Sequence, residues 1–552
     1  MIDLTKRVRA TGPRPAQLAV VGMAPARDEV RTGRPFTGSS GQILNESLQM
    51  YGMTREDVFV TNLVEFPIEL GSSVYEAVPK ELRDKEFERL RQELLEVRPN
   101  CVLLCGNDPL QAFTGHRAIG QWRGSIIQAN QLLANVKCVP CQHPAAFIRG
   151  LWKWLPVFRY VDLPRAVEES KVKGVVLPER RAITGPSKRQ VMDYLQYLRS
   201  KRLVTVDIET NGTEITCVGL GASKDEALSI PFTRSGYHNY WNLDEEADIW
   251  LGIANLLQAP DVQLVAQNAA FEWLYFWRYG IYPRNLYCDT MTLHHCLYPD
   301  FGGTQDPWGR KKRSGDEPGH SLAFINSQYT RTPYYKEDGR LWKPEYGDTG
   351  FWRYNAMDVM VTHDVMEQMV EEAQAKNLWQ YYQDYYVRAF RHALRMEWFG
   401  VKINLDLRAK AREELVAHAA ELQETVDGTL GYRLNVNSPK QMNKLLYETK
   451  GYQVRRNPKT GRPTADKGAL RYFADKKGDT LLEDIVKLRE TLDLIGDIID
   501  QPLGPQGRMH THFKLGGTDG QRWSSTESIL GSGTNLQNIP REGVARKLFI
   551  PG

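Results

Sequence analysis

No apolar run in this 552-residue sequence approaches the roughly 18 residues that a membrane-crossing helix needs. The opening, MIDLTKRVRATGPRP, also lacks the apolar core of a secretion signal. These absences predict a cytoplasmic protein with no membrane partner. Cysteine is scarce: seven residues, an odd number, argue against a disulfide framework and fit a reducing compartment. Cys101, Cys105, Cys138 and Cys141 have a spacing compatible with zinc, but CVLLC reads better as a buried strand in which Cys is a small apolar filler. Neither sign of charge dominates. With 71 Lys and Arg against 67 Asp and Glu the net charge is only +4, so a nucleic-acid partner has to be met by locally gathered basic groups. A hydrophobic content of 41% with 25% charged residues excludes wholesale disorder and fibrous repeats. The length implies roughly three or four domains.

Residues 1–165 alternate strand-like runs (LAVVGMAP, DVFVTNL, CVLLCG, VKCVPCQHP) with helical stretches such as ELRDKEFERLRQELLEV, the signature of an α/β domain. Residues 166–190 are charged and punctuated by proline, and read as a linker. A second α/β domain, 191–378, opens with the strand LVTVDIET and places its β-rich part first. Within it, GRKKRSGDEPGH (309–320) reads as a solvated charged loop. From 379 to 552 long helical patterns prevail, ending in a Gly/Ser-rich stretch that turns strand-like at KLFI.

Three short motifs in the second domain carry chemistry. In a strand, residues i and i+2 share a face, so Asp207 and Glu209 of VDIET present two carboxylates side by side. In QNAAFEWLYF, Asn268 and Glu272 stand four apart, which on a helix is one face; Tyr354 and Asp358 of YNAMDV have the same relation. Four acids from three segments suit two hard divalent cations, Mg²⁺ or Mn²⁺, and phosphodiester hydrolysis. The expected roles are Asp207 bridging both ions, Glu209 and Asp358 holding the ion that generates the nucleophile, Glu272 supporting the second ion through water, and Tyr354 orienting the attacking water. Singly, DxE is as readily a solvated strand edge and YxxxD a surface pair. In this joint order they resemble the DnaQ-like 3′→5′ exonucleases, in the version carried by family A DNA polymerases. The resemblance implies an RNase H-like fold, single-stranded DNA as substrate, and a DNA contact at Asn268. Many members have Asp where this chain has Glu272, whose longer side chain suits a water-mediated role.

RHALRMEWFGVKIN, YRLNVNSPKQMNKLLYE, TGRPTADKGALRYF and NLQNIPREGVARKLFIPG, in that order, resemble the helical thumb and first palm segment of family A, polymerase I-like, DNA polymerases, from about 385 onward. Ser438 and Gln441 form a capping-box pattern with Pro439 at the first helical position, which aims backbone N–H groups outward for phosphate. The resemblance places Lys440, Arg522, Asn535 and Gln537 near primer–template DNA; the plainer alternative is a helix start and a connecting loop. The family's palm aspartates and fingers helix have no counterpart before Gly552. The expectation is therefore the front half of a split polymerase, with palm and fingers on a second polypeptide, or else a truncated product.

VVGMAPARDEVRTGRPFTGSSGQILNESL, VFVTNLVEF and CQHPAAFIR resemble the uracil-DNA glycosylase superfamily over about 17–150, closest to families with an iron–sulfur cluster. A flipped base needs a stacking face, an edge reader and a donor to the departing anion. The resemblance assigns these to Phe36, Asn62 and His143, with Gly22, Met23 and Pro25 in the floor. Met23 stands where an acid or amide is common, and Asp28 and Glu29 are the candidates to compensate. The cluster's N-terminal cysteine pair is absent, so no iron–sulfur centre is expected. Besides a proofreading exonuclease, the readings to separate are a glycosylase or uracil-sensing module and a non-catalytic DNA clamp.

Overall fold

The computed structural model describes residues 3–551 apart from 70, 236–237, 302–318, 341–347, 458–461, 519, 530 and 541–542. Most of the expected loop at 309–320 and Gly552 lie outside the described residues. Contacts divide the chain into two units, one running through Tyr382 and the other beginning at Gln383.

The first unit holds two large sheets and a small two-stranded one. Strands β1 (Leu18–Gly22), β2 (Val58–Asn62), β3 (Cys101–Cys105), β4 (Ile127–Gln128) and β5 (Lys137–Cys141) form the first, in the order β2-β1-β3-β5-β4. All pairings are parallel except β4 with β5. The four long strands are buried along their whole length, as covered parallel strands require. Cys101, Cys105 and Cys141 pack into one core layer and Cys138 into the other, so strand alternation separates them. Cys105 Sγ and Cys141 Sγ stand 3.6 Å apart as free thiols.

The expected linker at 166–190 is not a bare connection. Leu163–Ser170 is a helix whose Leu163, Ala166 and Val167 enter the core beside β3, an apolar stripe at helical spacing that the surrounding charges obscure in the sequence. Farther on, β6 (Arg181–Ile183) joins the second sheet as its edge.

That second sheet comprises β6, β7 (Leu203–Asn211), β8 (Glu214–Gly221), β9 (Glu226–Pro231), β12 (Gln263–Ala266) and β13 (Leu286–Asp289), in the order β13-β12-β7-β8-β9-β6. A small hairpin, β10 (Thr233–Arg234) with β11 (His238–Asn239), stands outside it. Strand β7 runs antiparallel to β8 and parallel to β12, and its register slips between Glu209 and Thr210. The 28-residue helix Asp348–Ala375 lies across β7, β8 and β9. Gly219 permits this approach: a Cβ there would stand 2.7 Å from Asn355 Oδ1 and from Val359.

The second unit is mainly helical, as expected, with helices Arg388–Phe399, Leu405–Leu430, Lys467–Lys477 and Thr480–Leu494. Leu422 and Val426 meet Leu482, Ile485 and Val486 in its main core. A three-stranded sheet sets β14 (Val401–Ile403) between β15 (Arg508–Met509) and β18 (Phe549–Ile550), so the second half of KLFI forms a strand while Lys547 ends the helix Val544–Lys547. Strands β16 (His512–Lys514) and β17 (Ser524–Thr526) form a hairpin. No described helix is long and apolar enough to cross a membrane.

Candidate metal centre

Strand alternation puts Asp207 and Glu209 on one face of β7, and the long helix carries Asp358 to them. One carboxylate oxygen from each of Asp207, Glu209 and Asp358 lies within 4.8 Å of the others, the only such group of ligands among the described residues. Asn355, one turn before Asp358, steadies the arrangement. Its Nδ2 donates to Asp207 Oδ2 at 2.8 Å and its Oδ1 accepts from Ser229 Oγ at 2.7 Å. Glu272 occupies the first turn of helix Ala270–Arg278, is 3% exposed, and its Oε2 has no hydrogen-bond partner.

Electrostatics follow from this crowding. Burial, then the charges of Asp358 and Glu209, hold the Asp207 carboxyl well above the usual carboxylate range. Burial and Asp358 push Glu209 up to about 8. Burial and then Asp207 raise Glu272 likewise. Like charges this close favour protonation unless a cation is supplied. An acid-only oxygen donor set with one orphaned buried oxygen fits hard divalent cations.

Besides Asn355, sequence reasoning missed three contributors. Tyr335 OH donates to Asp358 Oδ1 at 2.6 Å, and Lys336 Nζ donates to Asp358 Oδ2 and, at 3.0 Å, to the Tyr354 hydroxyl. TPYYKE has no periodicity that would have flagged them. Asp289 accepts from the backbone N–H groups of Asn268 (2.9 Å), Ala269 (3.2 Å) and Met291 (2.9 Å), and burial pushes it up to about 6. An Asp just before a helical run was a readable cap signal. Asp289 also explains a correction: Asn268 is not on the helix with Glu272. It precedes that helix with φ +65°, in a left-handed turn that Asn tolerates and that the two N–H bonds to Asp289 fix.

The glycosylase-like residues gather at the carboxyl ends of parallel strands, the usual place for ligands in α/β sheets. Gly22 ends β1, Asn62 ends β2 and His143 follows β5. A Cβ on Gly22 would stand 2.3 Å from Asn62 Oδ1 and 2.8 Å from the Phe36 ring. The Phe36 and His143 rings stack with centroids 5.5 Å apart. Asn62 Nδ2 is buried without a partner. His143 Nδ1 accepts from the Ala145 N–H at 3.1 Å, and burial lowers its pKa to about 4, so the neutral ring carries its proton on Nε2. Pro25 is buried, and Met23 packs against the apolar cluster of Val64, Phe66 and Val74.

Glu29 is engaged by the loop backbone. Its two oxygens accept the backbone N–H groups of Ala26 and Phe36, which makes it a loop clasp. The clasp holds Phe36 at φ +53°, a conformation costing roughly 1–2 kcal/mol in a non-glycine residue. Asp28 is more than half exposed and lies 4.0 Å from Arg31.

In the second unit Lys440, Arg522 and Gln537 are exposed. The capping box forms only in half: Ser438 Oγ accepts from Gln441 N at 3.4 Å, but Gln441 Oε1 is taken by Asn435 N at 2.8 Å. Asn535 Oδ1 accepts from Ser525 Oγ at 2.5 Å and Gln537 N at 3.1 Å, and so fixes a turn.

A glycosylase-like sheet, an RNase H-like sheet with converging acids and a helical unit define a multi-domain nucleic-acid-processing enzyme. Comparison with known proteins narrows this. The model of the uracil DNA glycosylase superfamily matches residues 10–156, that of the 3′-5′ exonuclease residues 186–374, and that of DNA polymerase family A residues 406–552. The chain thus carries a region of the uracil-DNA glycosylase superfamily, a 3′-5′ exonuclease region and a DNA polymerase family A region. It is 30% identical to the type-4 uracil-DNA glycosylase of Archaeoglobus fulgidus over 149 residues, 26% of this chain and 73% of that protein. It is 35% identical to DNA polymerase I of Bacillus subtilis over 164 residues, 28% of this chain and 18% of that one. The DNA polymerase of Bacillus phage SP01 aligns with 99% of the chain at 22% identity, and 65% of that polymerase is covered. Among solved structures, the POL domain of Pol1 from M. smegmatis in complex with DNA primer-template and dNTP matches with a TM-score of 0.49 at 18% identity, over 67% of this chain and 57% of that one.

Proposed function

We propose that residues 186–374 form a divalent-metal-dependent exonuclease that removes nucleotides from the 3′ end of DNA, in a proofreading role. The observation that carries this is the Asp207, Glu209 and Asp358 group, with oxygens within 4.8 Å of one another. When bound, two Mg²⁺ or Mn²⁺ ions would supply charge to the attacking and leaving oxygens of the phosphodiester. In this reading Asp207, Glu209 and Asp358 would hold the ions, with Glu272 in support. Asn355 keeps Asp207 in place, and Tyr354 directs its hydroxyl toward the attacking water. Lys440, Arg522 and Gln537 are proposed to meet the phosphates of primer–template DNA, and Asn535 to set the turn that presents Gln537. The test uses one oligonucleotide labelled in turn at each end. A 5′ label is expected to give a descending ladder and a 3′ label free mononucleotide, both only with Mg²⁺ or Mn²⁺. Internal cutting, or undiminished cutting in EDTA, refutes the proposal.

A second reading concerns the N-terminal region, which we infer reads uracil without excising it. Glu29 favours this: the buried carboxylate bonded to Phe36 is spent on two backbone N–H groups, and Met23 offers no base. A uracil-bearing strand should bind more tightly than its thymine counterpart and yield no alkali-labile sites in EDTA. Equal binding removes the reading, and abasic product replaces it with active excision.

A further inference from the structure

We propose that Lys336 is a built-in counter-ion of the carboxylate cluster and competes with the divalent cation for Asp358; this rests on the metal-centre reading above. Both oxygens of Asp358 are committed to one short segment, Oδ1 to the Tyr335 hydroxyl at 2.6 Å and Oδ2 to the Lys336 ammonium. The same ammonium donates to Tyr354 OH at 3.0 Å and lies 5.5 Å and 4.9 Å from the ring centroids of Tyr335 and Tyr354. A lysine paired only at the surface gains little, about 0–1 kcal/mol. Here the partner is 4% exposed and two further acids crowd it, so the cation relieves a repulsion that burial makes strong.

The segment is anchored on both sides. Upstream, the Tyr334 N–H donates to Ser125 Oγ at 3.0 Å and its ring meets Trp122 edge-on at 5.2 Å, so the strap is footed in the glycosylase-like region. Downstream, Gly339 comes so near Tyr354 that a Cβ would stand 2.7 Å from the ring. A chain bound at two points and carrying one cation between them holds the acid cluster together without metal. An Asp358 oxygen that holds this ammonium meets an incoming divalent cation with a like charge already beside it. Lys336 therefore opposes metal binding at Asp358 Oδ2 for as long as it stays there.

The test is Mn²⁺ affinity, read by calorimetry and by electron paramagnetic resonance of free Mn²⁺, on the full chain without DNA. Lys336→Met should bind Mn²⁺ at least about five-fold more tightly, because a competing charge is gone. Lys336→Arg, which keeps the charge, should stay near the native value. Tyr334→Ala, which loosens the foot, should shift affinity the same way by a smaller factor, and it decides the matter if Lys336→Met does not fold. Unchanged or weaker Mn²⁺ binding in the folded neutral variant overturns the proposal. Failure of the metal centre itself looks different: Asp207→Ala would then leave Mn²⁺ binding intact.

Discussion

The glycosylase-like and exonuclease regions each bury a glutamate and use it in opposite ways. Glu29 is 6% exposed and both of its oxygens accept backbone N–H groups. Glu272 is 3% exposed, yet its Oε2 accepts from nothing in the protein. Burying a carboxylate costs several kcal/mol unless something compensates. In the first region the compensation is internal, so the acid is architecture: it pins Phe36 beside Asn62 and His143. In the second that oxygen has no donor, and burial with the charge of Asp207 holds the carboxyl toward its protonated form, the setting in which the proposed cation would act. Under the proposed functions, whether the chain itself satisfies a buried acid separates the reading pocket from the hydrolytic one.

Breaking the second half of that comparison has the largest expected effect. Asn355 only holds Asp207, and a supporting partner of this kind typically matters about 10–100-fold in metal affinity or activity. Asn355→Ala should lower nuclease rate or Mn²⁺ affinity within that range, and Glu209→Gln should lower them further. Kinetics with Mn²⁺ varied would check both; equal rates in Asn355→Ala would separate Asp207 from the chemistry.

Acid should act next, and on both regions of the first unit. Burial lowers His143, His294 and His363 to about 4 and His320 to about 3, from an ordinary value of 6.5. Each stays neutral when folded but takes a proton near 6.5 when unfolded. Their contribution is thus complete above pH 6.5 and is lost as pH falls from 6.5 toward 4. Thermal melting across that window should decline steadily; a flat profile would mean that these rings are not held neutral.

The smallest effect sharpens the first half. Glu29→Ala leaves two backbone N–H groups without their acceptor and should cost about 2 kcal/mol. It should abolish any preference for uracil while the nuclease rate stays native. A fall in nuclease rate equal to the fall in uracil binding would erase the distinction between the two acids.

Much of the candidate metal centre was legible because regular elements fix side-chain direction. The two-residue period of β7 put Asp207 and Glu209 together, and the helical period did the same for Tyr354 and Asp358. What was not legible depended on irregular backbone or on distant partners. Asn268 left the helix because Asp289, 21 residues later, captured its N–H. Lys336 and Tyr335 reach Asp358 from a segment with no repeating pattern. The helix Leu163–Ser170 was hidden by its charged face, although its apolar stripe follows ordinary spacing. Glu29 was read as a chemical candidate because sequence shows an acid but not which donors it meets.

The most direct test of the central claim is the digestion of a 5′-labelled single strand by the native chain and by Asp207→Ala, side by side in Mg²⁺. The account predicts a shortening ladder from the native protein and an intact strand from the variant. Equal shortening by both would contradict it.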